Sequence, residues 1–284
     1  MIDGHPLLEP LLRVAHAAGQ IALSYYGRVT LEVKDDQSPV TLADREVEAF
    51  LRQELHELDP DAAFVGEEST ARGAAEPRSS AERSAQHETA RGAPQDRPER
   101  VWVVDPVDGT AAFLGQLDTF AVCIGQLRRG QPYAGVVRLP ALDQTFLAVV
   151  GEGAWWRTPR GTVALDGASW ERHSAQVRCF LAPSNAHRDY RIRYPGKVRS
   201  FGSTAYHFLL VARGVGVGAV SRSHIWDYAA AAAVLLQSGG VMRYLDGTAV
   251  DWVALLDGRC AGQAVLGAPV GEWDALAKLV QRPG

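Results

Sequence analysis

The sequence predicts an α+β protein. Three observations carry that reading: two amphipathic helical runs near the N-terminus, closely spaced strands between Phe120 and Trp156, and an alanine-rich helix from Tyr228 to Ser238. With 284 residues the chain is long enough for one large domain or two layered halves. The expected halves are 1–150, an α+β unit, and 151–284, an α/β unit.

In chain order, Leu8, Leu11, Leu12, Ala15, Ala22 and Tyr26 keep close to helical spacing, and Gly27 stops the run. Val29 to Val33 alternate toward a strand, and Lys34 to Thr41 form a polar loop. Thr41-Leu-Ala-Asp44 fits a capping pattern, with Asp in place of the usual Glu. The helix behind it places Val47, Leu51, Leu55 and Leu58 on one face. Ala62 to Val65 is a short strand running into Gly66-Glu67-Glu68-Ser69. Residues 66–100 contain no Val, Ile, Leu, Met, Phe, Tyr or Trp. The polar stretch 70–98 cannot bury apolar area, so it is expected as a mobile surface insert, dispensable for folding.

Val101 to Val104 read as a buried strand, stopped at Asp105-Pro106 because proline cannot donate to a ladder. Phe120–Leu127, Tyr133–Leu139, Thr145–Val150 and Ala154–Trp156 follow as an antiparallel meander turning at Arg129-Gly130 and Gly151-Glu-Gly153. Residues 157–202 are more irregular, with a strand at Cys179 to Ala182. Ser203 to Arg213 reads as a helix closed by Gly214, and Val215 to Val220 as a strand. His224-Ile-Trp-Asp227 opens the alanine-rich helix, which Gly239-Gly240 ends. Val241–Tyr244 and Gln263–Leu266 are strands, and Trp273–Val280 is a closing helix.

A net charge of −4 gives no general attraction to a nucleic acid polymer or an anionic membrane. No apolar run reaches the roughly 18 residues of a membrane span. The N-terminus lacks a signal peptide's basic and apolar regions. Cys123, Cys179 and Cys260 form no CxxC pair, and each sits in an apolar context that suits a core thiol. The expected compartment is the cytoplasm.

The acidic groups at element ends are Asp44, Glu67, Asp105, Asp108 and Asp227. Asp105 and Asp108, three residues apart at a strand-to-helix turn, can converge on one point, and convergent hard oxygens suit Mg²⁺. No histidine or cysteine accompanies them at ligand spacing, which argues against zinc and for Mg²⁺ or Mn²⁺. The amides of Gly109 and Thr110 at the helix start suit a phosphate. Each piece alone also has a plainer reading. Asp serves as a turn former or cap, Glu67-Glu68 as a solvated pair, and Asp227 as the cap of its helix.

Gly66-Glu-Glu-Ser69, Trp102-Val-Val-Asp-Pro-Val-Asp-Gly-Thr110 and Trp226-Asp227, followed by a small-residue helix and Gly239-Gly240, come in one order. Together with Lys34 to Asp44, this combination resembles the inositol monophosphatase family of lithium-sensitive, Mg²⁺-dependent phosphatases. The resemblance implies a layered αβαβα sandwich with the site between its halves, and a homodimer. It implies two or three Mg²⁺ ions. Glu67, Asp105 and the Val107 carbonyl would hold one, and Asp105, Asp108 and Asp227 a second. A third, weaker ion would lie near Glu67 with the attacking water. Thr110 and Asp44 would orient or deprotonate that water, and the amides of Gly109 and Thr110 would bind phosphate.

The implied reaction is hydrolysis of a small phosphorylated metabolite, inositol-1-monophosphatase-like. A 3′(2′),5′-bisphosphate nucleotidase or a histidinol-phosphatase is the alternative within the family. A non-catalytic relative that binds a phosphorylated ligand is the alternative of another class. Inositol phosphatases commonly carry a Glu about seven residues before the final metal Asp, and here that position is Val220, beside Ser221 and Arg222. Ser203 and Arg222 are the candidate substrate contacts, Arg222 through a second anionic group.

Overall fold

A computed structural model describes residues 5–28, 32–33, 39–70, 98–167, 170 and 177–281. Residues 29–31 of the expected first strand, Lys34 to Ser38 of the polar loop and residues 71–97 of the expected insert lie outside them.

Helix α1 (Leu8–Tyr25) buries Leu8, Leu11, Val14, Ala15, Ala18 and Ala22 along one side. Strands β1 (Glu32–Val33) and β2 (Pro39–Val40) pair antiparallel ahead of α2 (Leu42–Leu58). The start of α2 is fixed by the capping box legible in the sequence. Thr41 Oγ1 accepts from the Ala43 amide at 3.1 Å, and Asp44 Oδ2 accepts from the Thr41 amide at 2.8 Å. Then come β3 (Ala63–Gly66), β4 (Arg100–Asp108), the short helix α3 (Thr110–Leu114), β5 (Ala121–Arg128), β6 (Gln131–Leu139), β7 (Gln144–Val149), β8 (Gly153–Thr158) and β9 (Gly161–Ala164). These strands form one seven-stranded sheet in sequence order. Only β3 and β4 pair parallel, with Gly66 opposite Val104. Glu67, just past the end of β3, therefore lies at the level of Asp105 on β4.

The second half adds β10 (Cys179–Leu181), β11 (Arg191–Ile192), β12 (Lys197–Arg199), helix α4 (Thr204–Ala212), β13 (Gly216–Ser221), helix α5 (Ile225–Gln237), β14 (Gly240–Tyr244), β15 (Val265–Pro269), helix α6 (Trp273–Ala277) and β16 (Val280–Gln281). A five-stranded sheet takes the order β12-β10-β13-β15-β14. The alternation of side chains across each strand sorts the core into layers. On β4, Trp102 and Val104 pack with α1 and α2, while Val101 and Val103 face α4 and α5. On the small sheet, Leu181, Ala219 and Val265 face the same two helices, and Phe180, Val220 and Leu266 face Trp273 and Leu276. The result is the five-layer αβαβα sandwich.

Helix α5 lies close on the large sheet because both surfaces are small there. Gly125 and Gly135 stand opposite each other on β5 and β6. A Cβ on Gly135 would lie 2.1 Å from the Ala230 carbonyl oxygen, and one on Gly125 would lie 2.8 Å from the Ala230 amide nitrogen.

Two elements differ from the sequence reading. Strand β4 does not stop at Asp105-Pro106 but continues to Asp108, with its register to β5 shifting between Asp105 and Asp108. The shift is a bulge that leaves Pro106, which has no donor, out of the ladder. The closing helix ends at Ala277 rather than Val280, because Val280 and Gln281 pair with Ile192 and Arg191. The large sheet also runs past residue 150 to Ala164.

Candidate active site

Strand β4 and its bulge deliver Asp105 and Asp108, and the first turn of α5 delivers Asp227. One carboxylate oxygen from each of the three lies within 4.8 Å of the others. Asp105 and Asp108 are buried and Asp227 is half-buried. Asp105 Oδ1 accepts from the Val107 amide at 3.0 Å, which sets the bulge. Asp108 is held by the start of α4. Ser203 Oγ donates to Oδ2 at 2.5 Å, the Ala205 amide to Oδ2 at 2.8 Å, and the Thr204 amide to Oδ1 at 3.0 Å. Asp227 Oδ2 accepts from the His224 amide at 2.9 Å. Asp227 thus caps its helix and still stands in the trio, so its two sequence readings do not exclude each other.

The trio has one basic side chain beside it, His224, whose Nδ1 lies 3.8 Å from Asp227 Oδ2. Among the described residues no Lys or Arg side chain pairs with any of the three. Burial, and then the charges of Glu67, Asp108, Asp227 and Asp44, push the Asp105 carboxyl well above the usual carboxylate range. Burial, Asp108 and Glu67 do the same to Asp227. Burial raises Asp108 to about 6, against the pull of the Ser203 hydroxyl and the Ala205 and Thr204 amides. Cys123, opposite Asp105 on β5, is a buried thiol pushed upward by burial and by these carboxylates, which keeps it neutral. A set of crowded hard oxygens with no Lys or Arg partner among the described residues fits a divalent metal ion, and its three carboxylates are not zinc's usual nitrogen and sulfur partners.

The fit has a measurable consequence. In metal-free protein the ionised forms of Asp105, Asp108 and Asp227 are disfavoured by the fold, so stability falls as pH rises from the unfolded value of 3.8 past about 6. A cation reverses that penalty. The rise in melting temperature on replacing chelator with Mg²⁺ is expected to be larger at pH 8 than at pH 5, where protons compete for the same oxygens. An equal rise at both pH values, by differential scanning fluorimetry, counts against the trio as the cation site.

The other predicted residues surround this centre. Glu67 is half-buried in the turn after β3, and its charge acts on both Asp105 and Asp227. Asp44 is buried on the first turn of α2, and its charge also reaches Asp105. Thr110 Oγ1 donates to the Val107 carbonyl at 3.2 Å. Gly109 adopts φ +89°, and a Cβ there would lie 2.7 Å from the Gly202 carbonyl oxygen, so glycine is required by conformation and by space. Among the described residues the amides of Gly109 and Thr110 have no acceptor.

Ser203 is fully buried, and besides donating to Asp108 its hydroxyl accepts from the Tyr206 amide at 3.0 Å. Its contacts are with the protein, through Asp108. Arg222 is exposed and its Nε donates to the Ala261 carbonyl at 2.9 Å. Val220 is fully buried against the outer layer of the small sheet. Sequence reasoning missed the clamp on Asp108 formed by Ser203, Thr204 and Ala205. The local signal, a Gly-Ser helix start, was visible, but nothing in it pointed to an aspartate 95 residues earlier.

A layered sandwich with acidic strand and helix ends meeting at one point defines a class of metal-dependent phosphatases. Residues 3–282 match the inositol monophosphatase family. The chain is 31% identical to a histidinol-phosphatase of Chlorobaculum parvum, over 83% of this chain and 84% of that protein. It is 29% identical to a histidinol-phosphatase of Mycobacterium tuberculosis, over 86% and 90%. An inositol monophosphatase structure from Thermotoga maritima superposes with a TM-score of 0.74 at 21% identity, covering 96% of this chain and 95% of that one. The chain belongs to the inositol monophosphatase family of metal-dependent phosphoric monoester hydrolases. No helix among the described residues is long and apolar enough to cross a membrane.

Proposed function

We propose that the protein uses Mg²⁺, with Mn²⁺ as a substitute, to hydrolyse a small phosphate monoester by direct attack of water. The observation that carries this reading is the convergence of the carboxylates of Asp105, Asp108 and Asp227 within 4.8 Å. Those carboxylates, with Glu67 and the Val107 carbonyl, are the residues that would hold metal ions. Bound there, such ions supply positive charge to the phosphate and leaving oxygens and lower the pKa of water. The chain's own part is positional. The amides of Gly109 and Thr110 donate to phosphate oxygens. Thr110 Oγ1, whose proton is engaged by the Val107 carbonyl, offers a lone pair to the attacking water, and Asp44 takes up its proton. Asp44 Oδ2 accepts from both the Thr41 amide and hydroxyl, at 2.8 and 2.6 Å, which fixes the orientation of the carboxylate on the first turn of α2.

For the substrate we favour a histidinol-phosphate-like monoester over an inositol phosphate. Two observations support the choice. The place of the ring-binding glutamate is taken by Val220, which is buried on the far side of its sheet. Beside Asp227, the partly exposed His224 ring stacks at 4.8 Å and 8° on the buried ring of Trp226, which leaves the outer face of the imidazole for a flat ring carried by the substrate. The likeness to two histidinol-phosphatases, at 31% and 29% identity, supports the same choice. A panel of histidinol phosphate, inositol 1-phosphate, adenosine 3′,5′-bisphosphate and fructose 1,6-bisphosphate tests the choice. The expected result is the highest kcat/KM on histidinol phosphate, lost on chelation and inhibited by lithium. Preference for inositol 1-phosphate overturns the substrate choice, and Mg²⁺-independent turnover overturns the mechanism. A cytoplasmic homodimer is the expected setting.

A further inference from the structure

Glu48 lies one turn beyond Asp44 on α2 and has no part in the chemistry above. It is 4% exposed, and each of its oxygens accepts a backbone amide from the turn that carries Glu67. Oε2 accepts from Glu68 at 2.6 Å and Oε1 from Ser69 at 2.8 Å. Amides at the start of a helical turn lack partners within it, and an ionised carboxylate is the strongest acceptor for them. Arg52, one turn further on α2, comes within 3.7 Å of Oε1 and lays its guanidinium 4.0 Å from the centre of the Phe64 ring on β3. The helix therefore grips both the strand and the turn that leaves it.

The fit is close on both sides. A Cβ on Gly66 would lie 2.5 Å from the Glu48 carboxyl carbon. At the far end of the turn, Thr70 meets the second half of the chain. A Cβ on Gly258 would lie 2.3 Å from Thr70 Cγ2 and 3.4 Å from the ring of Trp226, the neighbour of Asp227. The turn is thus held at its start by α2 and at its end beside α5. Glu67 is its first residue.

We propose that Glu48 is a positioning residue for Glu67. By holding the amides on the C-terminal side of Glu67, it fixes the direction in which that carboxylate leaves the sheet, and so sets how tightly the site holds a divalent cation. The inference rests on the metal reading of the trio. A cap that merely stabilised the turn would change stability and leave cation affinity alone.

The test is direct binding of Mn²⁺, followed by electron paramagnetic resonance on the purified full chain, with the melting temperature measured in chelator. Glu48→Gln keeps the shape but offers one acceptor and one NH₂ group where two acceptors are needed. Gly66→Ala pushes on the same carboxylate from the opposite side. Each is expected to weaken Mn²⁺ binding about tenfold, the lower end for residues that support metal ligands without touching the metal. The double variant should be no weaker than either single one, because both act through one contact. If Glu48→Gln does not fold, Gly66→Ala carries the comparison. Unchanged Mn²⁺ affinity in a folded variant, whatever its melting temperature, overturns the positioning role, and so do fully additive losses. A wild-type protein that binds no Mn²⁺ overturns the metal reading itself and this inference with it, before any variant is compared.

Discussion

Asp227→Asn is expected to lose phosphatase turnover by roughly a hundredfold or more while remaining folded. The two parts of that expectation come from different atoms. The amide oxygen of Asn can still accept from the His224 amide, now at 2.9 Å from Oδ2, so the contact that the third residue of α5 makes back to the helix start is kept. The charge is what disappears. In the absence of metal its loss should be neutral or stabilising, because the trio's carboxylates repel one another and burial already disfavours their ionised forms. In chelator the variant should therefore melt at or above the wild-type temperature. Mg²⁺ should raise that temperature less than in wild type, and high Mg²⁺ should recover part of the turnover. A folded Asp227→Asn protein with near-normal turnover at low Mg²⁺ removes Asp227 from the site and reduces it to a helix cap.

How much of this was legible in the sequence follows from the range of each interaction. The Thr41–Asp44 box and the Asp105-Pro-Val-Asp108-Gly109 turn are local, and their residue types announce them. The bulge was not announced. Proline's missing donor can end a strand or sit in a bulge, and the choice depends on pairing with Ala121 and Cys123, which only the folded sheet supplies. The closing helix is shorter than its sequence pattern for a similar reason. Its apolar spacing continues to Val280, but strand pairing with Ile192 takes that residue.

The long-range part of the site was legible only by resemblance. No periodicity links Asp227 to Asp105. The partners that hold the acidic residues in place were hidden further still. Ser203 reads as a helix start and a candidate substrate contact, and Glu48 as a polar position on an amphipathic helix, yet both are buried groups that hydrogen-bond within the protein. Their burial is a property of the packing, which pattern alone does not report.

Gly135→Ala is expected to produce the largest loss of stability of any methyl-sized change in the central layer. The glycines at 125 and 135 interrupt strands that otherwise carry a side chain at every position, and a glycine there is worth its conformational cost only where another backbone comes close. The backbone is that of α5. A Cβ on Gly135 at 2.1 Å from the Ala230 carbonyl oxygen is far inside contact distance, and the obstacle is main chain rather than a side chain that can rotate away. The helix must lift from the sheet, opening gaps around Ala229, Ala230 and Val234. Overpacking of this kind costs about 3 kcal/mol, at the upper end for single substitutions. At about 2–4 °C for each kcal/mol, the melting temperature should fall by several degrees or more. Lifting α5 also carries Asp227 away from Asp105 and Asp108, which stay with β4, so Mg²⁺ should stabilise the variant less than wild type. Gly125→Ala, with its Cβ at 2.8 Å from the Ala230 amide nitrogen, should act in the same direction but less. The double variant should cost less than the sum, since a helix already lifted clears both positions. A Gly135→Ala protein that melts within about 1 °C of wild type, with an unchanged response to Mg²⁺, would show that α5 does not need this seat.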